Sequence, residues 1–458
     1  MPATIRAAAG LTLPTMTADP RSRITVRALT VWAAAVLVYL AAITGRTSFG
    51  VAGVEALDRF GVDASRLAVF TAVQVGVYAL AQIPVGLAID RFGARRTMVV
   101  GALVMATGQI VLALTASYPI AILARVLIGA GDASAFLSAM RLLPAWFPLR
   151  VTPLFTQLTA GLGQIGQFIS AVPFLMLLHA EGWTASFLAL GSGIALVGIA
   201  AAIAIADVPP APAEPDGRTG SGGGTSSSEN RAPRATVREM LGIVLRHPVC
   251  WQGFFTHWVG LMHQATFTLL WGMPLMTLAM GLTPAQAGGV LVVNTVASVD
   301  AGPLMGMASA RFGARRGTLT VVISVILMGM WVVFLIPDTP RGLAAIVALN
   351  IAMAALSSAS GLGFDSVREA VVRRALATGT GLSNMGGFLA AMMAAQGIGL
   401  LLDASSDGRA YEWADFRVAW IAIVLVWVMG MAGLITAMIA RRRIERREPA
   451  TGARLRHP

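Results

Sequence analysis

The hexapeptide RFGARR occurs twice in this chain, beginning at Arg91 and again at Arg311, an offset of 220 residues. The segments GLGQIGQF and GLSNMGGF, which begin at Gly161 and Gly381, share Gly, Leu, Gly and Phe in register at the same offset of 220. Two independent matches at one spacing indicate a duplicated chain with halves of roughly 200 residues. The fold therefore has to be one that two similar halves build together.

The composition is typical of a membrane protein. Hydrophobic residues make up 56% of the 458 residues and charged residues only 12%, whereas soluble domains carry about 25% charged residues. The net charge of +12 comes from Arg, since the chain has no Lys, and these residues lie in short links between apolar runs. That placement favours orientation in a bilayer over binding of nucleic acid. The single cysteine, Cys250, excludes an intrachain disulfide and a cysteine-based metal site, and residues 1–27 lack the apolar core of a cleaved signal peptide.

Apolar runs of about 20 residues, the length that crosses a bilayer as a helix, predict twelve transmembrane spans. The runs are continuous and rich in Ala, Leu, Gly and Met, which disfavours the alternating strands of a membrane barrel. The predicted fold class is an all-α membrane protein with two six-helix bundles. The predicted spans are 28–50, 66–89, 97–117, 119–140, 154–178, 183–206, 250–280, 286–309, 317–336, 342–363, 378–402 and 415–440.

The distribution of Arg predicts the orientation of these spans. Links on one side carry Arg clusters, as in 91–96 and 311–316, whereas links on the other side are nearly free of basic residues. Arg-rich links remain in the cytoplasm, and an even number of spans then places both termini there. We expect a multi-pass protein of the bacterial inner membrane.

The two halves are separated by a Pro-, Gly- and Ser-rich segment after Asp207 that cannot bury a core. Apolar residues at helical spacing over 237–245, alternating with Arg238 and Arg246, predict a short interfacial helix before the seventh span. The predicted organisation is a cytoplasmic segment 1–27, a bundle 28–207, a linker 208–249, a second bundle 250–440 and a basic tail 441–458.

These features resemble the major facilitator superfamily, whose signature between the second and third helices is G-x-x-x-D-R-x-G-x-R-R. The matching residues are Gly86, Asp90, Arg91, Gly93, Arg95 and Arg96. The resemblance implies transport of small solutes by alternating access, with the first, fourth, seventh and tenth helices lining a central cavity. It also implies that Asp90 meets the N-terminus of the eleventh helix, near Thr378, as a latch made in one conformation only. Ala310 replaces the acidic residue in the second copy, so we expect asymmetric latching.

Two partial signatures bear on the type of transporter. Arg125, Gly129 and Gly131 resemble the Arg-then-Gly pattern that the family has in its fourth helix. The run G-x-x-x-G-P-x-x-G-G of proton-driven drug exporters is broken in the fifth span, where Pro173 is displaced and Gln167 interrupts the pattern. The broken run counts against an exporter.

Ionisable groups at bilayer depth cost about 2.5–3.5 kcal/mol on insertion scales, so each is a candidate functional residue. Arg46 and Arg125 lie at comparable predicted heights and are predicted to contact the solute, unless carboxylates or carbonyls neutralise them. Asp132 shares a helix face with Arg125, and Asp300 lies deep in the eighth span. A carboxylate in a water-poor position takes up a proton more readily, so either one is a candidate for proton coupling. The alternative for Asp132 is a bridge to Arg125 that only holds the helix.

Other polar side chains within the spans are further candidates for solute contact. A histidine can bind an anion or relay a proton, although a single buried histidine is more often a packing residue. Amides related by the 220-residue offset line the pathway or join helices, and joining helices is the favoured interpretation. These candidates are His257, His263, Gln264, Gln74, Asn294, Gln164 and Asn384.

The sequence therefore predicts a secondary active transporter for a small organic solute, anionic because two cations share one height, and driven by protons. No phosphate-binding G-x-x-x-x-G-K-[ST], metal-ligand cluster or cofactor motif is present, so neither an enzyme nor a direct ATPase is predicted. The expected partners are the solute, protons and lipid, without nucleic acid, and the expected state is a monomer. Two alternatives stay open: a proton-linked multidrug efflux pump, and a transport-inactive membrane sensor or scaffold with the same fold.

Overall fold

The computed structural model describes residues 23–62, 64–209 and 236–447, and these residues form helices joined by short links. Most of the predicted N-terminal segment, linker and basic tail lies outside the described residues. Spanning segments are helical because a helix satisfies its own backbone N–H and C=O groups where lipid offers no partners. Polar caps mark some of the helix starts: Thr25 accepts a hydrogen bond from Ala28 N at 3.1 Å, and Thr283 forms a capping box with Gln286.

The N-terminal half contains six spans. The first to fourth spans are Val26–Val51, Ala64–Phe92, Ala94–Leu114 and Tyr118–Trp146, with a short outer helix Gly53–Phe60 after the first. The fifth span runs through Thr152–Gly163, Ile165–Ile169 and the π-helical turn Ser170–Phe174 into the helix Leu175–Ala204. Gly182, at φ 76°, divides that last helix, so that the sixth span follows it.

The C-terminal half repeats this order. The linker helix Val237–Arg246 precedes the seventh span. That span consists of four consecutive helical pieces: Pro248–Thr266, the π-helical turn Phe267–Trp271, Gly272–Pro274 and a second π-helical turn, Leu275–Ala279. The eighth and ninth spans are Pro284–Phe312 and Arg316–Leu335. The tenth is Leu343–Ser357, the 3₁₀ turn Ser358–Gly361 and Leu362–Ala370; the eleventh is Leu376–Ser406; the twelfth is Trp413–Ala419 and Ile421–Arg447.

Nine helical stretches of the described residues are long and apolar enough to cross a membrane. Two of them, Thr152–Ala204 and Ala285–Leu335, are long enough for two crossings each, and Gly182 and Gly313 divide them at positive φ. The remaining crossing, 248–279, is more polar because it carries histidine and glutamine side chains. The predicted twelve-span, all-α fold is confirmed.

Each half has its own apolar core, and small residues let helices approach closely within it. The N-terminal core extends from Ala28 to Ile205 and also includes Phe364 and Ala377 of the other half, whereas the C-terminal core extends from Val244 to Leu434. A Cβ atom added to Gly131 would lie 2.4 Å from the carbonyl oxygen of Gly101, so the third and fourth spans touch backbone to backbone. Packing of this kind replaces the hydrophobic effect as the force that joins helices in lipid.

The two halves meet at the Arg-rich end of the molecule. The second span packs on the eleventh, where a Cβ on Gly86 would lie 2.7 Å from the carbonyl oxygen of Ala377. The eighth packs on the fifth, where a Cβ on Gly306 would lie 2.8 Å from Leu154 Cα. Gly86 and Gly306 are 220 residues apart, so the duplication places one close contact on each side of the interface between the halves. We call this interface the seam.

Candidate functional site

Arg46 of the first span and Asp132 of the fourth span form an ion pair within the N-terminal half. Arg46 Nε donates to Asp132 Oδ2 at 2.6 Å, and Nη2 donates to Oδ1 at 2.9 Å. The side chain of Asp132 is fully buried, whereas 19% of the Arg46 side chain is exposed. Two parallel hydrogen bonds between a guanidinium and a carboxylate are the strongest such arrangement in proteins. The cation is therefore neutralised, yet part of it stays accessible.

Residues of both halves surround the guanidinium of Arg46. Its Cζ lies 4.4 Å from the centre of the Tyr78 ring and 5.8 Å from that of the Phe388 ring. Asn384 Nδ2 donates to the Tyr78 hydroxyl oxygen at 3.0 Å and to Gln82 Oε1 at 2.8 Å. Tyr78 and Gln82 lie on the second span, and Phe388 and Asn384 on the eleventh. The ion pair thus lies at the seam between the halves.

The alternative of a bridge between Arg125 and Asp132 is wrong, because Asp132 bonds to Arg46 instead. Arg125 is 1% exposed, its Cζ lies 4.5 Å from the centre of the Phe49 ring, and its Nε donates to Phe70 O at 3.5 Å. Arg125 and Asp132 are seven residues apart, which corresponds to about 10 Å of helical rise and is too far for an ion pair. The side chain of Arg46 points back toward the N-terminus of its helix and so reaches Asp132. The prediction that the two cations act at one height is also wrong.

The expectation that Asp300 is buried is wrong as well. Its side chain is exposed, on the same helix face as four exposed apolar residues, Val292, Val296, Leu304 and Met307. Its counterpart in the first half, 220 residues earlier, is Leu80, which is 71% exposed. This face points away from the helices that the eighth span contacts, so Asp300 is not part of the site around Arg46.

The polar side chains of the seventh span have separate surroundings. His257 is buried, with Nδ1 3.3 Å from Ser360 O and its ring centre 4.8 Å from that of Phe364. His263 is also buried, and neither of its ring nitrogens has a hydrogen-bond partner among the described residues. His257 lies close to the seam, because Phe364, on which its ring packs, also packs on Phe136 of the fourth span with ring centres 5.3 Å apart.

Three of the five predicted amides form hydrogen bonds between helices, and the five do not form one surface. Gln264 Nε2 donates to Asn294 Oδ1 at 2.5 Å, and Asn294 Nδ2 donates to Asn350 Oδ1 at 3.1 Å, which links the seventh, eighth and tenth spans. Gln164 accepts a hydrogen bond from Gln167 on its own span. The remaining amide in the N-terminal half, Gln74, is buried without a side-chain partner among the described residues. Of these amides, only Asn384 contacts the residues around Arg46.

Asp90 binds the start of the eleventh span, as the resemblance implied. Its Oδ1 accepts from Ala377 N at 2.9 Å, and its Oδ2 accepts from Thr378 N at 2.8 Å and from Thr378 Oγ1 at 2.7 Å. Arg141 Nε of the fourth span lies 3.9 Å from the same carboxylate. The exposed N–H groups of a helix N-terminus favour an anion. This contact joins the two halves and depends on Gly86, which allows the close backbone approach.

The rest of the signature lies outside that contact. Gly93, at φ 90°, turns the chain between the second and third spans, and Arg95 N donates to Asp207 Oδ1 at 2.9 Å. Arg91 and Arg96 are exposed. The inter-half contact of the signature is therefore made by Gly86 and Asp90, whereas Arg95 ties the third span to the end of the sixth.

The second copy of the signature uses different chemistry, as the replacement of the acid by Ala310 implied. Arg316 is buried and donates to both carboxylate oxygens of Glu369, at 2.6 and 2.7 Å. Across the seam, Arg368 Nη1 donates to Thr156 Oγ1 at 3.2 Å, and Gln157 Nε2 donates to Ser358 O at 3.1 Å. This side of the seam thus has polar contacts but no carboxylate on a helix N-terminus among the described residues.

The sequence analysis missed four residues of the site. Tyr39 packs on Phe136 with ring centres 5.3 Å apart, and Tyr78, Gln82 and Phe388 complete the surroundings of Arg46. Tyrosine is rare here, with four in the whole chain, and two of them, Tyr39 and Tyr78, lie in the interior of spans. That rarity was an available signal, because a buried tyrosine needs a partner for its hydroxyl group.

Comparisons with known proteins agree on one family for this chain. The model of the Major Facilitator Superfamily matches residues 35–395. A probable sulfoacetate transporter, SauU, of Cupriavidus necator is 26% identical over 156 residues, and the uncharacterized transporter YybO of Bacillus subtilis is 30% identical over 146 residues. The matches cover 34% and 32% of this chain, and 36% and 34% of those relatives. The proton:xylose symporter XylE, in a structure with 6-bromo-6-deoxy-D-glucose bound, superimposes with a TM-score of 0.66 at 12% identity, over 90% of this chain and 97% of that one.

Proposed function

Because the chain belongs to the Major Facilitator Superfamily, a family of transporters rather than enzymes, we propose that it carries a small organic anion together with protons across the bacterial inner membrane. The Arg-rich links lie in the cytoplasm, and so do both termini. The protein acts as a monomer, and its partners are the solute, protons and lipid.

The ion pair between Arg46 and Asp132 carries this proposal. While Asp132 is ionised, its two oxygens occupy Nε and Nη2 of Arg46. A proton on Asp132 removes the competing charge, and the guanidinium then offers the same two donors to an incoming anion. A buried charge without a partner is costly, so the proton and the anion bind together. This linkage couples uptake of the anion to the proton gradient.

The surroundings of the ion pair favour a planar or tetrahedral oxyanion on a small organic body. A guanidinium binds carboxylate and sulfonate oxygens in pairs, while the rings of Tyr78 and Phe388 cover the organic part. Sulfoacetate, which the name of one relative mentions, carries both kinds of group. The fold shared with a proton:xylose symporter is compatible with proton drive.

Alternation follows from the contacts between the halves. In this conformation the halves are held together at the Arg-rich, cytoplasmic end by Asp90 and the first turn of the eleventh span. Arg46 therefore receives the anion from the outer side. Movement of the halves breaks the contact of Asp90 and opens the route to the cytoplasm, where deprotonation of Asp132 restores the ion pair and expels the anion.

The test is uptake by proteoliposomes under an imposed pH gradient, with a panel of carboxylates, sulfonates, neutral sugars and cationic drugs. We expect an acidic exterior to drive accumulation of carboxylates or sulfonates. R46A should lower apparent affinity by at least about tenfold, because hydrogen bonds to charged groups contribute roughly 1.5–3 kcal/mol each. The matched control is R417A, which removes a half-buried arginine paired with the exposed Asp338 at 2.5 Å and should leave uptake unchanged.

Transport of a neutral sugar with R46A fully active would contradict the proposal. Drug efflux without anion uptake would instead favour the multidrug pump, and absence of transport for the whole panel would favour a sensor or scaffold.

A further inference from the structure

A groove of about 1460 Å³ lies on the Arg-rich side of the C-terminal half. Its walls are the linker helix Val237–Arg246, the start of the seventh span, Ala370 at the end of the tenth span, and Arg441 with Ile444 on the twelfth span. We call this the linker groove. It lies where three spans end, which is the level of the lipid headgroups, and it is separate from the site around Arg46.

The linker groove carries a net positive charge. Arg238, Arg246 and Arg441 line it, and the acidic residue in its wall, Glu239, is paired with Arg374 at 3.1 Å. Burial, and then the charge of Arg441, lower the pKa of His247, so this side chain is mainly neutral at pH 7. Its Nδ1 accepts a hydrogen bond from Val249 N at 3.3 Å. The charge of the groove therefore comes from arginines, which bind phosphate oxygens well.

Apolar side chains are exposed at the same place. Val237, Leu245 and Ile444 line the groove, and each is more than 40% exposed. The linker helix buries its other apolar face, with Met240 and Val244 packed against the protein. An exposed apolar surface beside arginines at headgroup level fits a molecule that has both an anionic head and acyl chains.

Neither of the two segments of the chain that adjoin the linker groove in sequence has the negative charge that its arginines would attract. The segment 448–458 continues from the twelfth span and is basic, with Arg454 and Arg456. The segment 210–235 leads into the linker helix and carries three acidic and three basic residues, so it has no net charge. An anionic ligand from the membrane has both the required charge and the required apolar part.

We propose that the linker groove binds one anionic phospholipid of the cytoplasmic leaflet. Its phosphate lies among Arg238, Arg246 and Arg441, and its acyl chains contact Val237, Leu245 and Ile444. This proposal does not depend on the transported solute, because the groove and the ion pair share no residue.

The first test measures lipid retention by the full-length protein with native mass spectrometry. The protein is exposed to phosphatidylglycerol or to phosphatidylcholine with the same acyl chains. We expect preferential retention of one phosphatidylglycerol, and a loss on the order of 25-fold in R238Q/R246Q, since each arginine near an anionic surface contributes roughly fivefold. The matched control, R311Q/R315Q, removes the same charge from another exposed link and should retain the lipid as wild type does.

Three results would overturn the proposal. Equal retention of the two lipids by wild type would show no headgroup selection. Unchanged retention in R238Q/R246Q would place the lipid elsewhere. Displacement of phosphatidylglycerol by glycerol phosphate at equal concentration would identify a site for a free anion. A second measurement needs no variant: photoactivatable phosphatidylglycerol should attach to 237–247 or 441–447 of the wild-type protein, and attachment only at other segments would refute the assignment.

Discussion

Replacing Asp90 by Ala should shift the protein away from the conformation that is closed at its Arg-rich end. The carboxylate accepts three hydrogen bonds from Ala377 and Thr378, at 2.7–2.9 Å. Hydrogen bonds to a charged group contribute about 1.5–3 kcal/mol each, and a helix N-terminus adds roughly 0.3–2 kcal/mol. Water replaces some of these contacts in the open conformation. We therefore expect a shift of about 2–4 kcal/mol, roughly 30- to 1000-fold in the equilibrium.

Spin labels on the Arg-rich links of the two halves measure this shift directly. Arg96 and Arg311 are exposed on equivalent links, so R96C and R311C accept labels, while the natural Cys250 is buried. Double electron–electron resonance should give mainly a short distance for wild type. The D90A variant should give a longer distance as the main population.

The matched control for this experiment is D207A. Asp207 also accepts a hydrogen bond from a backbone N–H, Arg95 N at 2.9 Å, but it does so within the N-terminal half. Its loss should leave the distance distribution unchanged. If D90A gave the wild-type distribution, the contact of Asp90 would not stabilise the closed conformation, and the latch would have to be abandoned.

Two further predictions concern packing at the seam and within the C-terminal half. G86V should open the Arg-rich end, since even the first carbon of the new side chain would lie 2.7 Å from the backbone of Ala377; an unchanged spin-label distance would refute this. N294A should lower the free energy of unfolding by about 1–3 kcal/mol, because it removes the hydrogen bonds that Asn294 forms with Gln264 and Asn350. Thermal unfolding in nanodiscs measures this effect, and a loss of anion binding without destabilisation would instead assign Asn294 to the solute site.

The fold could be predicted because span length and Arg placement are local properties of the sequence. The fourth span was predicted to end at 140, and it extends to Trp146. That extension carries Arg141, whose side chain approaches Asp90, and such a polar turn at the helix end has no hydrophobic signal. Helix length beyond the bilayer therefore depends on contacts that the apolar pattern does not encode.

The site was harder to predict because its partners lie on different spans. Spacing along one helix placed Arg125 and Asp132 on a shared face and left a pair between them as an alternative, whereas the actual partner of Asp132, Arg46, comes from another helix. The position of Asp300 was equally hard to predict, since depth in a span does not tell which way a side chain points. The apolar residues Val292 and Val296 on its face carried the available signal, because a stripe of apolar residues is typical of a lipid-facing surface.

We propose above all that ionised Asp132 accepts both hydrogen bonds of Arg46 until a proton neutralises the carboxylate and frees the guanidinium. Equilibrium binding of an anion from the uptake panel, measured at acidic and alkaline pH for wild type and D132N, tests this claim most directly. The account predicts tighter binding at acidic pH for wild type. For D132N it predicts tight binding that no longer changes with pH, with exchange retained and proton-driven accumulation lost. Failure of D132N to bind the anion, or binding that keeps the wild-type pH dependence, would contradict the account.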